Sequence, residues 1–158
     1  PTTDFAKENL FNILANHFDF AELQVLDLFA GTGSISYEFA SRGAHVDLIE
    51  KDHRSIAFIS ETVEKLKMQT IHPVKGDVFR AVRYLSKKYD IVFADPPYRM
   101  KSIPELPELV FEQHLLAEGG WFILEHSGDH SFSGSPGFRE LRKYGSVHFS
   151  IFTHPASV

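Results

Sequence analysis

Short apolar runs alternate along the chain with stretches in which apolar residues return every three or four positions, and the two rhythms predict strands and helices in turn. Phe5, Leu10, Ile13, Leu14 and Phe18 fall at roughly helical spacing behind the cap oxygens of Thr2, Thr3 and Asp4, which predicts a leading helix. Val25 to Ser34 read VLDLFAGTGS: an apolar run holding one acid breaks into a small-residue turn at Gly31 and Gly33, and Ile35 to Arg42 can continue as a helix. Ala44 to Ile49 form a second run that closes on Glu50, Lys51 and Asp52. Asp52 caps a helix whose apolar stripe is Ile56, Ile59, Val63 and Leu66. Thr70 to Lys75 predict a third strand, leading through Gly76 to Asp77 and a helix lined by Val78, Phe79, Val82 and Leu85. Tyr89 to Ala94 predict a fourth, stopped by Asp95-Pro96-Pro97-Tyr98, because paired prolines donate nothing to a ladder and fix an extended exit. A helix opened by Pro104 and Pro107 runs through Leu116, and Gly119-Gly120 turns into the strand Trp121 to Glu125. After the Gly- and Ser-rich stretch Ser127 to Gly137, Phe138 to Tyr144 and Ser146 to Thr153 read as two strands around Gly145.

Alternation of this kind predicts an α/β fold: a mostly parallel sheet with helices on both faces, closed here by an antiparallel hairpin. At 158 residues, with no repeat or linker, a single domain over residues 1–158 is expected. No apolar run approaches the length of a membrane span, and the N-terminal segment lacks the order of a secretory signal, so a cytoplasmic address is permitted. The absence of cysteine excludes disulfides and thiolate metal sites. A formal net charge of -5 argues against binding nucleic acid through bulk electrostatics. The sequence begins at Pro1, and a basic segment missing before it would change that charge argument.

Open α/β sheets bind ligands at the carboxyl ends of their strands, and four chemical signals fall there. Gly31 and Gly33 can take positive φ and let a ligand lie on bare backbone in front of helix N–H groups, although Ser36 stands where a dinucleotide fingerprint has its third glycine. Asp27, four residues before Gly31, can bond loop amides or meet a cationic ligand. Glu50, nineteen residues after Gly31, suits two ribose hydroxyls, the alternative being a surface charge paired with Lys51 or Arg54. Asp77 can accept from an adenine amino group while the Val78 N–H reaches the ring, and it can equally be a plain helix cap. The fourth signal is Asp95 to Tyr98. Its carboxylate and the Pro96 carbonyl offer two acceptors beside an aromatic ring, which suits a planar amine whose delocalised lone pair must be localised before it attacks. His126 and His130 are four apart, but Ser127-Gly128 between them makes a loop, so they read as solvated histidines and not as a metal site. The phenylalanines read as core packing.

The runs PTTDFAKENLFNIL, VLDLFAGTGSISYEFASRGA, LIEKD, GDVF and VFADPPY, in that order and spacing, resemble the RsmD family of bacterial enzymes, which methylate N2 of guanine 966 in 16S ribosomal RNA. The resemblance implies the class I S-adenosylmethionine-dependent methyltransferase fold, Rossmann-like and seven-stranded, with S-adenosylmethionine as donor, S-adenosylhomocysteine as product and no metal. It implies 16S rRNA within the assembling small ribosomal subunit as partner, and a monomer. By that likeness Asp27, Phe29, Gly31 and Gly33 cradle the methionine part of the donor, Glu50 the ribose, Asp77 and Val78 the adenine, with Ala30, Thr32 and Lys51 also among the cofactor-binding residues, and Asp95, Pro96, Pro97 and Tyr98 hold the target base. A basic segment usually precedes the PTTD run in this family, and Arg99, Lys101, Arg139, Arg142 and Lys143 are the basic residues left to line an RNA path. The rival readings are an adenine-N6 methyltransferase, a glutamine-N5 methyltransferase, whose family generally carries Asn where Asp95 stands, and a module that holds S-adenosylmethionine or RNA without turnover.

Overall fold

A computed structural model describes residues 2–154. A seven-stranded sheet runs through it in the order β3-β2-β1-β4-β5-β7-β6. The strands are β1 (Gln24–Asp27), β2 (His45–Glu50), β3 (Ile71–Lys75), β4 (Tyr89–Ala94), β5 (Leu116–His126), β6 (Phe138–Tyr144) and β7 (Val147–Phe152). The first five pair in parallel, and β7 lies antiparallel between β5 and β6, so the tail closes the sheet as a hairpin. Strand order reverses between β1 and β4, which opens a crevice at their carboxyl ends.

Side chains alternate across a strand, and in the central strands both faces are apolar, so the sheet separates two cores. Val25, Ile91, Phe93, Trp121 and Ile123 point into one, packed by α1 (Asp4–Ala15), α2 (Ser34–Ser41) and α3 (His53–Lys65) through Leu10, Phe11, Phe39 and Ile59. Leu26, Val92, Phe122 and Leu124 point into the other, packed by α4 (Val78–Ala81) and α5 (Leu106–Glu112) through Val78, Leu106 and Val110. The caps sit where the sequence puts them. Thr3 accepts from the Ala6 N–H and Asp52 from the Ser55 N–H, each satisfying an orphan donor of a first turn.

Four local expectations change. The helix expected through Leu116 ends at Glu112, because His114 takes a left-handed φ of 51° and reverses the chain. Leu116 then already pairs with Tyr89, and the ladder resumes at Trp121 opposite Ile91, so residues 117–120 are a bulge within β5 and not a turn before it. Gly120 is required there, since a Cβ would lie 2.9 Å from the carbonyl oxygens of Ala117 and Tyr89. The helix after Asp77 keeps α geometry only to Ala81 and tightens into a 3-10 turn through Tyr84. Finally, Leu66 and Phe5 are 57% and 62% exposed: Leu66 lies past the last turn of α3, and Phe5 meets only the edge of the Tyr144 ring at 6.1 Å.

Candidate active site

At the carboxyl ends of β1, β2, β4 and β5 lies a cleft of ≈ 1260 Å³, larger than the roughly 300–1,000 Å³ of most small-molecule sites. Asp27, Phe29, Ala30, Gly31, Thr32, Glu50, Lys51, Asp77, Val78 and Asp95 to Tyr98 all line it. Thus four separate stretches of sequence converge on one wall. Gly33 does not line the cleft. It caps α2 at φ 90°, its N–H bonded to the Ala30 carbonyl at 2.8 Å, and a Cβ there would strike the Tyr37 ring at 2.6 Å. Its left-handed backbone bends the turn into α2.

The turn is fixed from both sides. The Leu28 N–H reaches the Phe93 carbonyl and the Ala30 N–H the Ile49 carbonyl, so backbone bonds to neighbouring strands continue past the end of β1. Glu50 Oε1 accepts from the Gly31 N–H and Oε2 from the Asp52 N–H, each at 2.7 Å. Glu50 is therefore a clamp between two loops and not a surface partner of Lys51 or Arg54, and each oxygen keeps a lone pair for a further donor.

Asp27 is 1% exposed. Its Oδ2 accepts from Ser36 Oγ at 2.7 Å, and its Oδ1 has no partner among the described residues. Burial pushes its carboxyl up to about 7; the Ser36 bond opposes the rise, and the charges of Asp95 and Glu50 add to it. Asp77 caps α4 through the Arg80 N–H at 3.3 Å, with buried Val78 beside it on the cleft wall.

At the end of β4 Pro96 is buried, the Pro97 carbonyl is taken by the Met100 N–H at 2.9 Å, and Tyr98 stands 80% exposed at the mouth. Beside Asp95 the structure adds a residue that the sequence did not single out. Glu125, the last residue but one of β5, lies next to it, 8% exposed, and its carboxyl hydrogen-bonds that of Asp95. Its Oε1 accepts from the Thr2 hydroxyl, so Thr2 belongs to the cleft while Thr3 alone caps α1. Burial, and then the Asp95 charge, push Glu125 up to about 7; burial raises Asp95 as well. The signal in the sequence was a glutamate closing the strand next to DPPY.

The histidine reading needs correction. His126 belongs to β5 and is buried, with Nε2 at 2.6 Å from Ser150 Oγ and Nδ1 at 2.7 Å from the Ser127 carbonyl, because β7 folds back over the end of β5. Burial lowers its pKa. No group of three metal-ligating side chains converges among the described residues.

Against known proteins, residues 1–153 match the family described as "Conserved hypothetical protein 95". The chain belongs to the RsmD family. This RsmD-family chain is 33% identical over 131 residues to the Bacillus subtilis protein named "Putative rRNA methyltransferase YlbH", an alignment covering 80% of this chain and 70% of that protein. It is 28% identical over 160 residues to Escherichia coli "Ribosomal RNA small subunit methyltransferase D", covering 99% of this chain and 80% of that one. The fold superposes on an RNA methyltransferase from Salinibacter ruber in complex with S-adenosyl-L-homocysteine with a TM-score of 0.76, at 18% identity, over 100% of this chain and 95% of the other. The fold is thus that of the S-adenosylmethionine-dependent methyltransferases.

The residues present fit that donor. The unpartnered Asp27 Oδ1 is an acceptor awaiting a cation such as the methionine ammonium, and the free lone pairs of Glu50 match a pair of ribose hydroxyls. Asp77 and Val78 close the far end with an acceptor and a buried apolar surface, as an adenine needs.

Proposed function

We propose that the protein transfers a methyl group from S-adenosylmethionine to the exocyclic N2 amine of a guanine in 16S ribosomal RNA, guanine 966, within the assembling small subunit. The observation that carries this reading is the Asp95-Pro96-Pro97-Tyr98 corner, which shares one cleft wall with the half-satisfied Asp27 and the Glu50 clamp. The names of the relatives support ribosomal RNA as the substrate, and the motif order PTTD to DPPY supports the guanine amine.

S-adenosylmethionine, when bound, supplies a methyl group on a positively charged sulfur. Asp27, Glu50, Asp77 and Val78 bind it. Asp95 and the Pro96 carbonyl accept the two N–H groups of the incoming amine, which draws its lone pair out of the ring system and towards the methyl group. Tyr98 presents an exposed ring on which the base stacks. Asp95 accepts the proton that the amine loses as the N–C bond forms and the C–S bond breaks, its electron pair staying on sulfur. Positioning in a dry cleft does most of the work, since the methyl group is already activated. Arg99, exposed beside Tyr98 on the cleft lining, is a cation available to a phosphate.

Small-subunit particles lacking the modification, incubated with labelled donor and the protein, test this by mass mapping of the RNA. Label on guanine 966 as N2-methylguanine is expected. Label on an adenine, on protein, or nowhere overturns the reading.

A further inference from the structure

We propose that Glu125 is a positioning residue for the transfer: anchored by Thr2, it holds one proton between itself and Asp95, so that Asp95 meets the incoming amine as an ionised acceptor of fixed direction. This rests on the amine-transfer reading above.

The geometry follows from the sheet. β4 and β5 run in parallel register with Ala94 opposite Leu124, so the next residues, Asp95 and Glu125, leave adjacent strands side by side at the rim. Behind Glu125 the paired residue of β7 is Phe149, fully buried, which gives the carboxyl no water on that side. Two carboxylates this close in a poorly hydrated place do not both ionise, and they titrate as a pair. Of the surrounding charges, that of the amino terminus opposes the rise in both carboxyls. Asp27 approaches from β1 and Glu50 from β2, both acidic, whereas His126 on β5 is kept neutral by burial, with His148 of β7 and His130 of the following loop beyond it.

Thr2 anchors the glutamate. Its hydroxyl donates to Glu125 Oε1, and the Glu125 carboxyl is also bonded to that of Asp95. That bond favours the ionised form of Asp95 and the protonated form of Glu125. In the transfer, the proton shed by the amine goes to Asp95. The pair then carries two protons and returns one to water at the mouth of the cleft.

The test uses the parent protein, Glu125→Gln, Glu125→Ala and Thr2→Val. The rate at saturating donor is followed against pH on small-subunit particles, and in parallel the glutamate side-chain carboxyls are titrated by carbon-13 NMR. The parent rate is expected to fall on the alkaline side as the pair loses its shared proton, through an apparent value near 7. Glu125→Ala should lower the rate roughly 10- to 100-fold, the usual range for groups acting through the residue they orient. Glu125→Gln, a permanent neutral donor, should restore most of that loss and remove the alkaline fall. Thr2→Val should move the fall to higher pH, because the Thr2 bond favours the ionised form of Glu125. A Glu125→Gln variant as slow as Glu125→Ala, or one that keeps the alkaline fall, overturns the proposal. The NMR titration reads the proton without turnover: a Glu125 signal titrating in the ordinary glutamate range overturns it even if no particle is methylated, whereas failure of the parent to methylate any particle counts against the transfer reading itself.

Discussion

Ser36 Oγ donates a 2.7 Å hydrogen bond to Asp27 Oδ2, and that bond satisfies only half of a buried carboxylate. Ser36 occupies the place at which a dinucleotide fingerprint has its third glycine, so the departure from that pattern has a structural reason. A glycine would let α2 pack closer to β1 but would leave Asp27 with no partner at all. The serine orients the carboxylate and leaves Oδ1 without a partner among the described residues. On the proposed reading that oxygen is set in advance for the positive charge of the donor.

Asp27→Asn separates the two consequences of that arrangement. Removing a buried charge should raise the melting temperature of the ligand-free protein at pH 8, while loss of a charged acceptor should weaken S-adenosylmethionine binding roughly 10- to 100-fold. Thermal melts and titration calorimetry on the same preparations check both. A variant that is less stable and binds the donor normally would show that Asp27 serves the fold alone.

The same residue sets a pH dependence. An aspartate ordinarily near 3.8 and raised to about 7 in the folded protein binds more protons folded than unfolded between those values. Its contribution to stability is whole below pH 3.8 and is lost as pH rises through about 7, on the order of 4 kcal/mol at most. The parent should therefore lose stability from pH 5 to pH 8 relative to Asp27→Asn. Donor binding at pH 6 should also release a proton, seen as a binding enthalpy that depends on the ionisation heat of the buffer. In Asp27→Asn that dependence should shrink.

The two glycines of the turn should answer differently to alanine. Both take positive φ, which costs an L-residue about 1 kcal/mol or more. At Gly31 an added Cβ meets nothing within 4 Å, whereas at Gly33 it would lie 2.6 Å from the Tyr37 ring. Gly33→Ala should thus destabilise the protein by roughly 2–3 kcal/mol, strain and displaced ring together, against about 1 kcal/mol for Gly31→Ala. Urea unfolding of the two variants measures the difference.

Much of this was legible in the sequence because the signals were local. The stripe of Ile56 and Ile59, the caps Thr3 and Asp52 and the prolines after Ala94 each act within a few residues, and each element formed where they indicated. Alternation put the carboxyl ends of the parallel strands at one rim, and with them Asp27, Glu50, Asp77 and Asp95. What was not legible depends on pairing across long separations. Thr2 meets Glu125 across 123 residues, His126 is covered by Ser150 of the hairpin, and the bulge at residues 117–120 exists only because β5 must match β4. Leu66 kept its place in the helical stripe but fell beyond the last turn, where no partner helix covers it.

Asp95 and Tyr98 are three residues apart, yet their substitutions should appear in different kinetic constants. On the proposed reading Asp95, inside the cleft, holds the amine that reacts and takes its proton, so Asp95→Ala should lower kcat by at least about 100-fold while the affinity for S-adenosylmethionine changes little. Tyr98 is 80% exposed and packs against little of its own chain, so Tyr98→Ala should leave the melting temperature unchanged. On the proposed reading its ring is a stacking surface for the base worth about 1–3 kcal/mol, hence a rise in KM for the RNA particle of roughly 10- to 100-fold with a smaller effect on kcat. With a formal net charge of -5 the protein neutralises few phosphates, so its binding to free RNA should be weak and should fall further with added salt. Loss of stacking therefore has little electrostatic affinity to hide behind. Steady-state kinetics at two salt concentrations resolve these effects: a Tyr98→Ala defect confined to kcat would move Tyr98 from holding the base to aligning it.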